Sequence, residues 1–363
     1  MVSKVSCGHN RYNDVGHPDR LTDIIVVRQR FVDFYRNLSP LEKMMGTANN
    51  LIFALDSSKE FGQKAAEAIG LTLSDHEERD FPEGEHKIRS LVNVRNKSVY
   101  IIYSLYGEPE LTVNDKLCRL LFFIGSLKDA GASEVTVIAP YLCYSRKDRK
   151  TKSHDPITTQ YVARLLETMG TNKLVTLDVH NVQAFENAFR IPTIHLEAKV
   201  SFASHFAPLL KNQETVVLSP DSGGIKRAMA FAQTLENEME KPIPVAVMHK
   251  TRSEGIVGGT EMIFGDVHAK TVIIIDDLIS SGTTLLRAAK ACKQAGSNKV
   301  FATVTHGVFS AGANETLKDL ALDKVVITNS IPPTRLEKEI VEQKVEIIDV
   351  APLVGELILE LMV

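Results

Sequence analysis

Two aspartates, Asp276 and Asp277, stand at the end of an apolar run, and a small-residue turn, Ser280-Ser281-Gly282-Thr283-Thr284, follows them into a helical pattern. Hydroxyls and glycine at a helix entry suit an anion. The first backbone N–H groups of a helix lack intrahelical partners, and the macrodipole adds partial positive charge there. The paired carboxylates would repel a phosphate, so they suit vicinal sugar hydroxyls or a phosphate-bound cation. Donors for phosphate beside acceptors for hydroxyls describe a ribose 5-phosphate site. An ordinary Ser/Thr helix cap would explain the hydroxyls, but not the acid pair or its lead-in, Thr271-Val272-Ile273-Ile274-Ile275. No Gly-Lys-Thr ending marks a Walker loop, and the glycines form no dinucleotide fingerprint.

Other reactive types recur after apolar runs. Arg146, Lys147, Arg149 and Lys150 surround Asp148, charge enough to clamp a triphosphate, although a solvated loop has the same composition. Asp178-Val179-His180 offers an imidazole that is either a core residue or a metal ligand. Ser219-Pro220-Asp221-Ser222-Gly223-Gly224 is a second small-residue turn, able to hold phosphate with Asp221 on a cation. Lys250 and Arg252 lie in a charged stretch before Gly258-Gly259, the texture of a flap or of a solvated hairpin.

The elements that must position these groups alternate. Apolar runs predict strands over 51–55, 98–103, 134–139, 173–177, 215–218, 243–248, 271–275, 299–305, 324–328 and 345–349, with helical periodicity between most of them. That rhythm predicts an α/β fold of two duplicated, doubly wound halves with mainly parallel sheets. Ligands in such sheets sit beyond the carboxyl ends of strands, where the reactive segments fall. The division is expected as an extension over 1–46 with an amphipathic helix, a first domain over 47–205 and a second over 206–363. The last helix can pack on either half. Cys7, His9, Asp14 and His17 match no familiar zinc spacing and read as a polar arm.

The bulk numbers exclude several classes. The chain has 363 residues, 42 Lys+Arg against 45 Asp+Glu, and four cysteines without CxxC spacing. A balance of −3 gives no footprint for nucleic acid. No signal peptide or membrane span is expected, since the most apolar stretch, over 117–127, is short and carries Arg119. Scattered cysteines predict reduced thiols in a cytoplasmic protein.

Taken in order, Tyr144-Ser145-Arg146-Lys147-Asp148-Arg149, Asp178-Val179-His180, Ser219-Pro220-Asp221-Ser222-Gly223-Gly224, Lys250-Thr251-Arg252 and Asp276-Asp277…Thr284 resemble the motifs of the ribose-phosphate pyrophosphokinase (PRPP synthetase) family over roughly 50–360. The resemblance implies two phosphoribosyltransferase-like domains. It also implies a reaction in which the 1-hydroxyl of ribose 5-phosphate takes the β,γ-diphosphoryl group of Mg-ATP, giving PRPP and AMP. It carries ATP binding to Phe81, Glu83, Gly84, Glu85, Arg146 and Lys147, and magnesium to His180 and Asp221. Catalysis falls to Lys250 and Arg252, and ribose 5-phosphate to Asp276, Asp277, Ser280, Ser281, Gly282, Thr283 and Thr284. A homo-oligomer, dimer or hexamer, is implied too. The chain departs from the family's usual pattern with Pro82-Glu83 in the adenine loop, Lys147 in place of glutamine, and Ser280, Gly282 and Thr283 in the PRPP loop. The rival readings are a phosphoribosyltransferase that consumes PRPP and a non-catalytic associated subunit.

Overall fold

Runs such as Val272-Ile273-Ile274-Ile275 are buried along their whole length, as befits parallel strands covered on both faces. The computed structural model describes residues 48–250 and 261–362. The expected helix within 1–46 and Arg252 lie outside the described residues.

The first half contains β1 (Asn50–Ala54), α1 (Lys59–Ala68), β2 (His76–Asp80), β3 (His86–Ser90), β4 (Ser98–Ile102), α2 (Val113–Asp129), β5 (Glu134–Ala139), α3 (Thr158–Thr168), β6 (Lys173–Leu177), α4 (Val182–Ala188), β7 (Thr193–Leu196) and α5 (Lys199–Leu210). Its sheet is wholly parallel, in the order β1-β4-β5-β6-β7, and β2 and β3 form a separate antiparallel hairpin. The start of α2 shows why a helix begins there. Thr112 Oγ1 accepts from the Asp115 N–H at 3.2 Å, and the Asp115 carboxylate accepts from the Thr112 N–H at 2.8 Å, a reciprocal capping box.

The second half contains β8 (Thr215–Ser219), α6 (Ile225–Met239), β9 (Val245–Lys250), β10 (Glu261–Phe264), β11 (Thr271–Ile279), α7 (Thr283–Gln294), β12 (Lys299–Gly307), α8 (Ala313–Lys318), β13 (Lys324–Thr328), α9 (Lys338–Lys344), β14 (Val345–Ile348) and α10 (Ala351–Met362). The sheet order is β10-β9-β8-β11-β12-β13-β14, parallel except for β10 against β9. The expected α/β architecture of two doubly wound, mainly parallel halves is therefore present.

Several local expectations change. The acidic segment around Phe81 is the turn of the β2–β3 hairpin, because paired strands flank it. Strand β11 does not stop at Ile275; it pairs with β12 through Ile279, so both aspartates lie on the strand itself. The helix α5 runs through the position where the division at 205–206 was expected.

One apolar cluster joins the two sheets. Ile52, Tyr100 and Val175 of the first sheet share it with Val217, Ile273 and Val326 of the second, and helices α1, α5, α6 and α10 contribute to it. Helix α10 follows β14 in the second sheet yet crosses α1 of the first half, and Tyr100 Oη donates to the Leu361 carbonyl at 3.0 Å. The crossing depends on Gly355, where an added Cβ would stand 2.2 Å from the Ala65 carbonyl oxygen. Backbone cannot yield as a side chain can, so Gly355→Ala should destabilise the protein by about 1–3 kcal/mol. Thermal unfolding would show this as a lowered Tm, and an unchanged Tm would mean that α10 shifts freely.

Candidate active site

Strand ends of both sheets face one cleft of about 860 Å³. From the first half, Arg146, Asp148 and Arg149 enter it on the loop after β5, and His180 on the turn after β6. From the second half come Asp221 after β8, Asp276 and Asp277 on β11, and Ser280 to Thr284 at the start of α7. Those expected residues are brought together. Lys147 is exposed and does not line the cleft, and neither do Phe81, Glu83, Gly84 and Glu85, which sit on the β2–β3 turn. Lys250 ends β9, and its side chain lies outside the described residues.

The halves touch directly at the acids. His180 Nδ1 lies 2.9 Å from Asp277 Oδ2, a contact between residues 97 positions apart. Arg227 Nη1 lies 3.1 Å from Asp276 Oδ1 and 3.2 Å from Asp277 Oδ1. Sequence reasoning missed Arg227. Its one signal was local: a cation in the first turn of α6 opposes the helix dipole, a position that needs an acidic partner elsewhere.

Electrostatics separates the two aspartates. Burial and the neighbouring Asp277 charge push Asp276 up to about 7. Burial also opposes ionisation of Asp277, but the His180 hydrogen bond and the Arg227 guanidinium outweigh it and hold that carboxyl well below the usual range. The same hydrogen bond raises His180 above its ordinary value against the opposing effect of burial. Asp276 is a good hydroxyl acceptor only when ionised. On the expectation that Asp276 accepts from sugar hydroxyls, binding of ribose 5-phosphate should strengthen as pH rises through about 7. Calorimetry on Asp276→Asn should lose that step, which separates it from ionisation of the sugar phosphate itself.

The segment from Ser280 to Thr284 has the geometry to hold an anion. Gly282 is the N-cap of α7 with φ 80°, and no side chain caps the helix. An added Cβ there would stand 2.8 Å from Thr316 Cγ2, so both conformation and space demand glycine. Uncapped N–H groups at a cleft-lining helix start are free to receive phosphate. Ser281 Oγ and Thr283 Oγ1 lie 2.6 Å apart, and Ser280 Oγ donates to Ser310 Oγ at 3.0 Å.

Asp221 is partly engaged. Its Oδ1 accepts from the N–H groups of Gly223 and Gly224 at 2.8 and 3.0 Å, which shapes the turn, while the carboxylate lines the cleft. Asp178 proves structural: Oδ2 accepts from the Ala198 N–H at 3.0 Å and from Thr305 Oγ1 of the second half at 2.6 Å. It does so from a backbone with φ 38°, a sparsely populated region for a non-glycine residue. His306 continues this seam, fully buried between the Leu177 carbonyl and Ser330 Oγ, each at 2.9 Å.

Comparison with known proteins gives a consistent result. The family described as the N-terminal domain of ribose phosphate pyrophosphokinase matches residues 50–170, and the phosphoribosyl synthetase-associated domain matches residues 257–362. A ribose-phosphate pyrophosphokinase of Listeria ivanovii is 37% identical over 307 residues, 85% of this chain and 92% of that protein. One from Caldanaerobacter subterraneus is 38% identical over 310 residues, covering 85% and 94%. The crystal structure of phosphoribosylpyrophosphate synthetase from Mycobacterium smegmatis superposes with a TM-score of 0.77 at 29% identity, covering 85% of this chain and 97% of that one.

Proposed function

Because the chain belongs to the ribose-phosphate pyrophosphokinase family, we propose that it transfers the β,γ-diphosphoryl group of Mg-ATP to the 1-hydroxyl of ribose 5-phosphate, giving PRPP and AMP. The observation that carries this reading is the 2.9 Å contact of His180 with Asp277. It brings the loop ends of the first sheet, with Arg146 and Arg149, against the sugar-phosphate segment of the second. A transferase that consumes PRPP needs only the latter.

The roles follow from charge and position. The α7 N-terminus and its hydroxyls bind the 5-phosphate, and Asp276 with Asp277 orients the ribose hydroxyls. Arg146 and Arg149 take the nucleotide phosphates, and Arg227 keeps the acid pair from repelling itself. Diphosphoryl transfer is mostly alignment plus stabilisation of spreading negative charge, the task assigned to Lys250 and Arg252. Magnesium prefers oxygen ligands and keeps waters, which the Asp221 carboxylate fits. His180 already gives Nδ1 to Asp277, so only Nε2 remains for the ion or its waters. Bound magnesium would screen the triphosphate charge. The Phe81–Glu85 turn, outside this cleft, belongs to the reading as the adenine-contacting loop, and a homo-oligomer belongs to it as the assembly. A cytoplasmic setting completes it.

One assay tests the proposal: purified protein with Mg-ATP and ribose 5-phosphate, following AMP and PRPP. Production of AMP that requires ribose 5-phosphate is the expected result. PRPP consumption with a nucleobase would indicate a transferase instead. Nucleotide binding without turnover would indicate an associated subunit.

A further inference from the structure

We propose that Asp56, His76 and Glu78 form a second metal site, outside the active-site cleft, for a borderline divalent cation of the Zn²⁺ type. Alternation along β2 puts His76 and Glu78 on one face, and that face meets the turn after β1, where Asp56 opens a short 3₁₀ segment. One donor atom from each of the three residues lies within 4.8 Å of the others. His76 Nε2 and Glu78 Oε1 are 3.1 Å apart and hydrogen-bonded to each other; an ion would take the place of the shared proton, since two ligands of a tetrahedral ion with bonds of about 2.0–2.1 Å stand roughly 3.3 Å apart. None of the three lines the cleft.

Two of the three residues are withdrawn from solvent, and Asp56 is exposed. The side chains of His76 and Glu78 are only 9% and 4% exposed. The imidazole is held against Phe53 and Phe123, with ring centroids at 6.2 and 5.9 Å. Glu78 is oriented from both sides: Oε1 accepts from the Asp56 N–H at 2.7 Å, and Oε2 lies 3.7 Å from Arg119 Nη1. These contacts fix the carboxylate, and Oε1 has a lone pair for an ion once the His76 bond gives way. The local charge balance supplies an independent reason. Arg119 is shared between Glu78 and Asp80 and also acts on Asp115, so among the described residues the carboxylates outnumber this guanidinium, with the imidazoles of His76 and His86 the other basic groups beside them. A divalent cation would correct that balance. One imidazole with two carboxylates favours Zn²⁺, Mn²⁺ or Co²⁺ over Mg²⁺, which prefers oxygen alone.

An ion here would tie the β1–α1 turn to the hairpin that carries the Phe81–Glu85 turn, and so hold that turn relative to the first sheet. The test is Zn²⁺ titration by calorimetry of chelator-stripped, full-length protein in a His180→Ala background, which removes an imidazole from the cleft. The expected result is one Zn²⁺ per chain, with binding lost in His76→Gln and weakened more than about tenfold in Asp56→Asn. The Asp56 side chain is exposed, so the second variant remains informative if the first does not fold. Zn²⁺ bound equally by Asp56→Asn, or no ion bound in the His180→Ala background, would overturn the proposal.

Discussion

Lys250→Ala should lower turnover by about 10²- to 10³-fold while leaving ATP affinity within a few-fold of the unaltered protein. The residue ends β9, beside β8, whose following turn carries Asp221. In the role proposed for it, its charge acts on phosphates whose own charge grows as the diphosphoryl group moves. A cation needed mainly in the transition state changes kcat, whereas one that binds ground and transition states alike changes KM. Measuring kcat and the Kd for ATP in the same variant decides between them. An equal loss in both would remove the transition-state role.

Asp277→Asn should abolish most activity and loosen the link between the halves. The substitution keeps the shape of a residue only 3% exposed and deletes the charge that holds both His180 and Arg227. Breaking a buried ion pair costs about 3–5 kcal/mol, but His180 is 41% exposed, so about 1–3 kcal/mol is expected. Activity should fall by more than about 10²-fold, since the acid pair proposed to orient the ribose and the position of His180 are lost together. The pH dependence gives a second reading. His180 is raised in the folded state, so its contribution is complete below its ordinary value and is lost as pH rises through the raised one. Asp277 is depressed, so its contribution exists above the ordinary aspartate range and is lost on acidification. The unaltered protein should lose stability on the alkaline side of His180, and Asp277→Asn should not. Unfolding midpoints across pH 5 to 9, with His180 followed by NMR, would check both points.

Much of the architecture and part of the site were legible from local pattern. Thr271-Val272-Ile273-Ile274-Ile275 announces a buried parallel strand, and Ser280 to Thr284 announces a helix entry suited to phosphate, because both signals are written in consecutive residues. What lies between non-adjacent elements was not legible. Arg227 matters only because β8 and β11 are neighbours, which carries α6 to Asp276. The polar residues of β2 and β3 hide a hairpin, since Ile88 is its one residue in the apolar core and His76 packs inward as an imidazole. Asp178 carries no local sign that Thr305 and Ala198 donate to its Oδ2. Side chains whose partners come from the other half, as with His306 and Leu177, carry no signature that periodicity can detect.

The single apolar interior shared by both sheets restricts how the enzyme can move. Prising the halves apart would expose Phe202, Phe206, Phe231 and the face of α10 to water at once, a hydrophobic penalty far above thermal energy. Clam-shell breathing is therefore closed to this molecule. Admission of substrates and escape of products must leave this interior intact.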